Sequence, residues 1–190
     1  DVEIYSADLS VKEERQKLFD YTTSNHMIVE NLINNAGFGN AGAYLDTPWE
    51  LQKNMVDINV VALMHLSHLY GNEMKKRRKG RILNVASVAA FSAGPYMSVY
   101  YASKAFVFSL SQAMYEELKG YGVSVTALCP GPTGTNFENT AGLTNSKMFK
   151  VFGVEKADSV VKRGYKGMMR GKAIVYHSKV TYGFNIITRL

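Results

Sequence analysis

A chain of 190 residues, 46% hydrophobic and 20% charged, holds material for one packed core and has the composition of an ordinary globular domain. No apolar run reaches the roughly eighteen residues a membrane helix requires, and the opening Asp1-Val2-Glu3-Ile4 is unlike a signal segment, so a soluble, cytoplasmic protein is expected. The single cysteine, Cys129, excludes an intrachain disulfide and a cysteine-based zinc site, and the net charge of +6 is not read as nucleic-acid binding, because the densest basic run, Lys75-Lys76-Arg77-Arg78-Lys79, falls where cations offset a helix dipole.

In chain order, Val2-Glu3-Ile4-Tyr5 alternates like a strand and leads into Ala7-Asp8-Leu9. Ser10 with Glu13 has the spacing of a capping box, and Val11, Leu18 and Phe19 give the following helix, to about Tyr21, one apolar face. Residues 28–34 form a short apolar run, a buried strand that stops at the loop Asn35-Ala36-Gly37-Phe38-Gly39. Asn31 interrupts that strand and needs hydrogen-bond partners if it is buried. Thr47 as cap, Pro48 in the first turn and Glu50 mark another helix start, and this helix should reach the basic run with a break near Asn59.

Residues 81–86 read as a strand, followed by a small-residue loop through Ser87 and Gly94-Pro95. An amphipathic helix over residues 98–119 is stopped by Gly120 and Gly122, and the strand at 123–128 closes on Pro130-Gly131-Pro132. Beyond Thr135 the pattern predicts a loop or short helix through Phe149, a helix over 156–169 and a last strand at 173–176. Strands alternating with long helices specify a doubly wound, Rossmann-like α/β fold with a parallel sheet, read as one domain over residues 1–190.

Ligands bind such sheets at the loops after the carboxyl ends of the strands. Asp8, Asn35-Ala36-Gly37, Ser87 and Pro130-Gly131 occupy those loops, and Tyr100 and Lys104, four apart, share one face of their helix. Asn35-Ala36-Gly37, Asn59, Ser87 and Tyr100-x-x-x-Lys104, in that order and with Tyr100 thirteen positions after Ser87, resemble the signature of classical short-chain dehydrogenases/reductases. The wording Cys129-Pro130-Gly131-Pro132-Thr133 is similar to a branch holding DltE-like and steroid or ketoacyl reductases.

The resemblance implies NAD(P)(H)-dependent interconversion of a carbonyl and a secondary alcohol, with NADP(H) slightly favoured and no metal. Tyr100 would be the general acid/base, and Ser87 would donate to the substrate oxygen. Lys104 would bond the nicotinamide ribose, and Asn59 would hold a relay water. Asp8 would meet the adenine edge, Asn35, Ala36 and Gly37 would let the backbone approach the cofactor, and Pro130, Gly131, Thr133 and Thr135 would border the nicotinamide. A tyrosine with its ordinary pKa near 10 is a poor base at neutral pH, so Lys104 and the positive nicotinamide ring are expected to lower it.

The loop at 89–96 and the region from Phe137 to Phe152 are expected to line a pocket for a hydrophobic or acyl small-molecule substrate. Helices near 60–76 and 100–119 would pair subunits into a homodimer or homotetramer. The family's opening strand and TGxxxGxG turn have no counterpart before Asp1, so the chain is expected to be part of a longer protein and its sheet to show an open edge. Two other readings are a cofactor-binding scaffold without turnover and a sugar-nucleotide epimerase. His65 and His68 read as surface or packed side chains, Tyr101 as a packing residue, and Met64, Met114, Met168 and Met169 as core or pocket filling.

Overall fold

The computed structural model describes residues 2–134, 154–176 and 182–183. Its central sheet is four parallel strands in the order β1 (Asn31–Asn34), β2 (Gly80–Val85), β3 (Val123–Cys129) and β6 (Ile174–Tyr176). Helices α1 (Lys12–Ser24), α2 (Trp49–Val56), α3 (Leu63–Arg77), α4 (Ser98–Leu118) and α5 (Ala157–Met169) alternate with these strands. A minor parallel pair joins β4 (Thr133–Gly134) to β5 (Glu155–Lys156).

The two-residue period of the strands divides the core between the faces of the sheet. Ile82, Val123 and Val125 pack with Leu66, Tyr70 and Met74 of α3 and with Met114 and Leu118 of α4. Leu83 and Leu128 point the other way, against Val160 and Met168 of α5. Helices therefore cover both faces, as the alternating pattern predicts. Met74, Ile82 and Val107 are wholly buried, and each such side chain contributes roughly 1.5–3 kcal/mol.

A polar chain crosses the α3/α4 face. Asn34 Nδ2 donates to Asn84 Oδ1 at 2.8 Å and to Ser67 Oγ at 2.9 Å. Asn84 Nδ2 donates to Ser111 Oγ at 2.9 Å, and the Ser111 hydroxyl donates to the Val107 carbonyl at 2.6 Å. Four buried side chains thus tie α3, β1, β2 and α4 together. Asn84→Leu leaves the Asn34 amide short of an acceptor and should cost about 2 kcal/mol. Urea unfolding checks it, and a midpoint equal to that of the parent protein would show that the chain adds no net stability.

Several element ends differ from the sequence pattern. Residues 2–8 form no ladder, because a strand exists by pairing and the outer edge of β1 is unpaired among the described residues. That edge leaves Asn31 exposed, so it needs no buried partner. Ser10 does not cap α1: its hydroxyl and backbone N–H donate to Asp8 Oδ1 at 2.7 and 2.9 Å, and the helix starts at Lys12 and runs to Ser24, beyond Tyr21. The Thr47 hydroxyl is likewise spent on the Ala43 carbonyl, and Pro48 takes the cap position of α2.

The break near Asn59 is real, and it is a π-helical segment, Asp57–Ala62, between α2 and α3. Arg78 in the left-handed region ends α3. In the basic run Lys76 pairs with Glu73, Lys79 with Glu30, and Lys75 lies over the Tyr121 ring. Gly122 follows α4 at φ +71°, and a Cβ there would strike the Arg78 carbonyl. Met114 and Met168 join the core, whereas Met64 and Met169 are exposed. Thr135, the loop or short helix through Phe149 and the region from Phe137 to Phe152 lie outside the described residues.

Candidate active site

The catalytic candidates sit at the carboxyl end of the sheet because β2 ends at Val85 and α4 crosses directly above. Along α4, Tyr100, Ser103, Lys104, Val107, Phe108 and Ser111 are buried, an i, i+3, i+4 stripe that turns Tyr100 and Lys104 inward together. Ser87, two residues past β2, holds its extended backbone by accepting the Ala89 N–H on Oγ at 3.1 Å. Its side chain is also hydrogen-bonded to Tyr100.

Lys104 is 6% exposed, and its Nζ donates to the Val85 carbonyl at 2.8 Å. It lies 5.8 Å from the centroid of the Tyr100 ring. Burial pushes the Lys104 ammonium down to about 8, partly offset by Cys129. Burial likewise pushes Tyr100 up to about 12, against the Ser87 hydrogen bond, which lowers it. The sequence predicts a lowered tyrosine. Among the chain's own groups desolvation of the phenolate outweighs the Ser87 hydrogen bond, and the lowering expected from the sequence requires the nicotinamide ring as well.

Asn59 is nearly inaccessible, and both of its amide N–H donors are used. Oδ1 accepts the Phe38 N–H at 3.0 Å, while Nδ2 donates to the Phe38 carbonyl at 2.9 Å and to Ser103 Oγ at 3.1 Å. Ser103 in turn donates to the Tyr100 carbonyl at 2.7 Å. The side chain is thus a latch between the glycine loop and α4. The π-helical turn is the local irregularity that brings this residue inward.

Asn35, Ala36 and Gly37 are exposed beside that latch. A Cβ at Gly37 would lie 2.9 Å from Asn59 Oδ1 and 3.5 Å from Lys104 Nζ, so a side chain there would press on the Asn59 latch and sit against Lys104. The Pro130 carbonyl accepts the Val88 N–H at 2.9 Å, which fixes the Pro130-Gly131 turn against the Ser87 loop. Thr133 Oγ1 donates to the Gly131 carbonyl at 3.0 Å. Asp8 is exposed, and its carboxyl is held low by the side-chain and backbone hydrogen bonds from Ser10. Among the described residues its side-chain bonds are these local ones, and none reaches the Tyr100 cluster.

The structure adds Ser103 and Cys129, which sequence reasoning missed. Ser103 was visible as the small polar residue between Tyr100 and Lys104 on the inner face; Cys129 is fully buried at the end of β3 and carried no such signal. Tyr101 packs its ring over Gly94, where a Cβ would collide with it. His65 Nδ1 accepts the Arg15 Nε–H at 3.2 Å, and the His68 ring nitrogen lies 3.3 Å from the Asn72 amide.

Residues 1–141 match the short chain dehydrogenase family. The chain is 32% identical over 139 residues to the probable oxidoreductase EphD of Mycobacterium tuberculosis, a match covering 73% of this chain and 24% of that protein, so the chain spans about a quarter of that relative. A bulky-bulky ketone specific alcohol dehydrogenase from Comamonas testosteroni superposes with a TM-score of 0.80 at 26% identity, covering 98% of this chain and 70% of that one. A short-chain dehydrogenase from Sphingobium yanoikuyae in complex with NADPH gives 0.82 at 26% identity, over 96% and 71% of the two chains. Sequence and three-dimensional frame agree, and the chain belongs to the short chain dehydrogenases, a family of oxidoreductases.

Proposed function

We propose that the protein is an NAD(P)(H)-dependent reductase of ketones, working between a carbonyl and a secondary alcohol, with Tyr100 as general acid/base. The observation that carries the reading is the buried group of Ser87, Tyr100 and Lys104, with the Ser87 and Tyr100 side chains hydrogen-bonded and the ammonium beside the ring. Two features fit a nicotinamide nucleoside. Lys104 is buried with one hydrogen bond, to Val85, so two of its three N–H donors have no hydrogen-bond partner among the described residues. The glycine at position 37 keeps the space beside it clear.

A reduced nicotinamide, when bound, supplies the hydride. Tyr100, pushed up to about 12, keeps its proton at neutral pH and can give it to the carbonyl oxygen. The Ser87 hydroxyl donates to the same oxygen as negative charge develops there. Lys104, at about 8, is mostly charged at neutral pH and stabilises the phenolate left behind. Asn59 positions rather than reacts, by holding the loop at Phe38 to Ser103.

NADP(H) is favoured because the Sphingobium relative is in complex with NADPH. A bulky ketone substrate is favoured because the Comamonas relative is a bulky-bulky ketone specific alcohol dehydrogenase. Pairing of subunits through α3 and α4 belongs to the same reading, supported by exposed Met64 and Phe106 on those helices. No described helix is long and apolar enough to cross a membrane.

The test is turnover of NADPH and NADH by the full-length protein with a panel of bulky aliphatic, aryl and acyl ketones, followed by absorbance of the reduced nicotinamide. Ketone-dependent oxidation, faster with NADPH, is expected. Failure with every ketone and both nucleotides would favour the scaffold reading and overturn this one.

A further inference from the structure

We infer that the cleft between α5 and β6 is a binding site for a multiply charged phosphate-bearing anion, separate from the Tyr100 cluster. A cavity of about 410 Å³ opens there, and Arg163, Lys166, Arg170 and Lys172 all line it. The first three recur at i, i+3 and i+7 and so share one face of α5. Lys172 follows the end of the helix and reaches the same cleft from the turn into β6.

Helix-dipole compensation accounts for only part of this cluster. Cations in the last turn, such as Lys166, and at the cap, such as Arg170, meet the negative helix end. Arg163 lies a turn or more earlier and Lys172 beyond the end. Among the described residues none of the four forms an ion pair with a carboxylate, although Lys17, Lys53, Lys76, Lys79 and Lys119 elsewhere in the chain all do. Among the described residues no acidic side chain lines the cavity.

Four like charges around one concavity focus a positive potential and repel one another when it is empty. One carboxylate would leave most of that charge unmatched, whereas a pyrophosphate or phosphomonoester spreads two or more charges over several acceptor oxygens that guanidinium groups bind in bidentate fashion. Gly167 and Val175 form the floor, where a Cβ on Gly167 would strike Val175, so glycine lets α5 pack closely on β6. Tyr176 and Tyr182, edge to face at 5.3 Å between ring centroids, form an aromatic wall beside the cations. Arg170 also borders a second cavity, of about 230 Å³, with Lys79 and Arg81 at the amino end of the sheet. The positive surface therefore continues away from the carboxyl end, where the Tyr100 cluster lies.

Calorimetric titration of the full-length protein with sodium pyrophosphate tests the site. Binding in the micromolar to low-millimolar range is expected, weakened at least tenfold in R163Q/R170Q and unchanged in K75Q/K76Q, which removes equal charge from the end of α3. Binding should also fall steeply between low and high salt. Equal affinity in the parent protein and R163Q/R170Q would overturn the proposal, as would no detectable binding. Flotation with phosphatidylcholine vesicles, with and without phosphatidic acid, identifies the source of the anion. Retention on acidic vesicles that is released by pyrophosphate and lost in R163Q/R170Q assigns a lipid headgroup, and pyrophosphate binding without retention assigns a soluble phosphate ester. Vesicle retention indifferent to R163Q/R170Q counts against the site. Ketone reduction is unaltered in R163Q/R170Q on this proposal, so its failure and that of the reductase reading are separable.

Discussion

Tyr100→Phe is expected to lower the rate constant for ketone reduction by roughly 10²–10⁴-fold, the usual worth of a positioned general acid, while the affinity for NADP(H) changes by no more than about twofold. The substitution removes one oxygen from a buried ring that packs with Met55, Ala89 and Met97, so the fold should survive. The Ser87 hydroxyl loses its partner on the ring but keeps the Ala89 N–H. Rate and affinity measured separately distinguish the loss of a proton donor from the loss of a binding contact. A variant with full turnover would remove Tyr100 from the chemistry.

The direction of the Tyr100 shift adds a pH dependence. A phenol pushed up to about 12 is protonated throughout the neutral range, the state that reduction needs. Oxidation of an alcohol needs the phenolate, so its rate should climb with pH across the range in which reduction is flat. Reduction in turn should decline above about pH 8, as Lys104 loses its charge.

The parts of this site that the sequence reveals are those whose chemistry depends on residue type at a fixed spacing. Tyr100 and Lys104 are four apart on a long amphipathic helix whose observed bounds, Ser98–Leu118, depart by one residue from the pattern. The break at Asn59 was legible as a break; its π-helical form and the latch to Phe38 depend on tertiary partners some twenty and forty residues away. The capping boxes at Ser10 and Thr47 failed for one reason: each hydroxyl donates to a local acceptor, Asp8 Oδ1 or the Ala43 carbonyl, and neither accepts a helix N–H. Asn84 carried no periodic signal, since a buried amide in a strand makes sense only once Asn34 and Ser111 are placed around it. Asp8 was read into a loop after a first strand that residues 2–8 do not form, and its Oδ1 accepts from Ser10, which no motif conveys.

Lys104→Met separates what the site needs from what the fold prefers. Lys104 is buried with a single hydrogen bond to a carbonyl, and the drop from its ordinary 10.5 to about 8 corresponds to roughly 3 kcal/mol of destabilisation when it is charged. Methionine has a similar length and no charge. It removes that cost but leaves the Val85 carbonyl without its donor, at about 1–2 kcal/mol. The net expectation is a protein more stable by about 1–2 kcal/mol at pH 7, with an unfolding temperature a few degrees higher, and ketone reduction slowed at least about 100-fold. The sign with pH is fixed by linkage: a lysine whose folded pKa is depressed binds fewer protons folded than unfolded between about 8 and 10.5, so wild-type stability recovers as pH rises through that window. The advantage of Lys104→Met should therefore be full below pH 8 and shrink toward pH 10.5, measured as the difference between the two proteins so that other titrating groups cancel. A variant less stable than wild type at pH 7 would mean that the bond to Val85 outweighs desolvation, and that the buried ammonium is held for the fold rather than for the reaction.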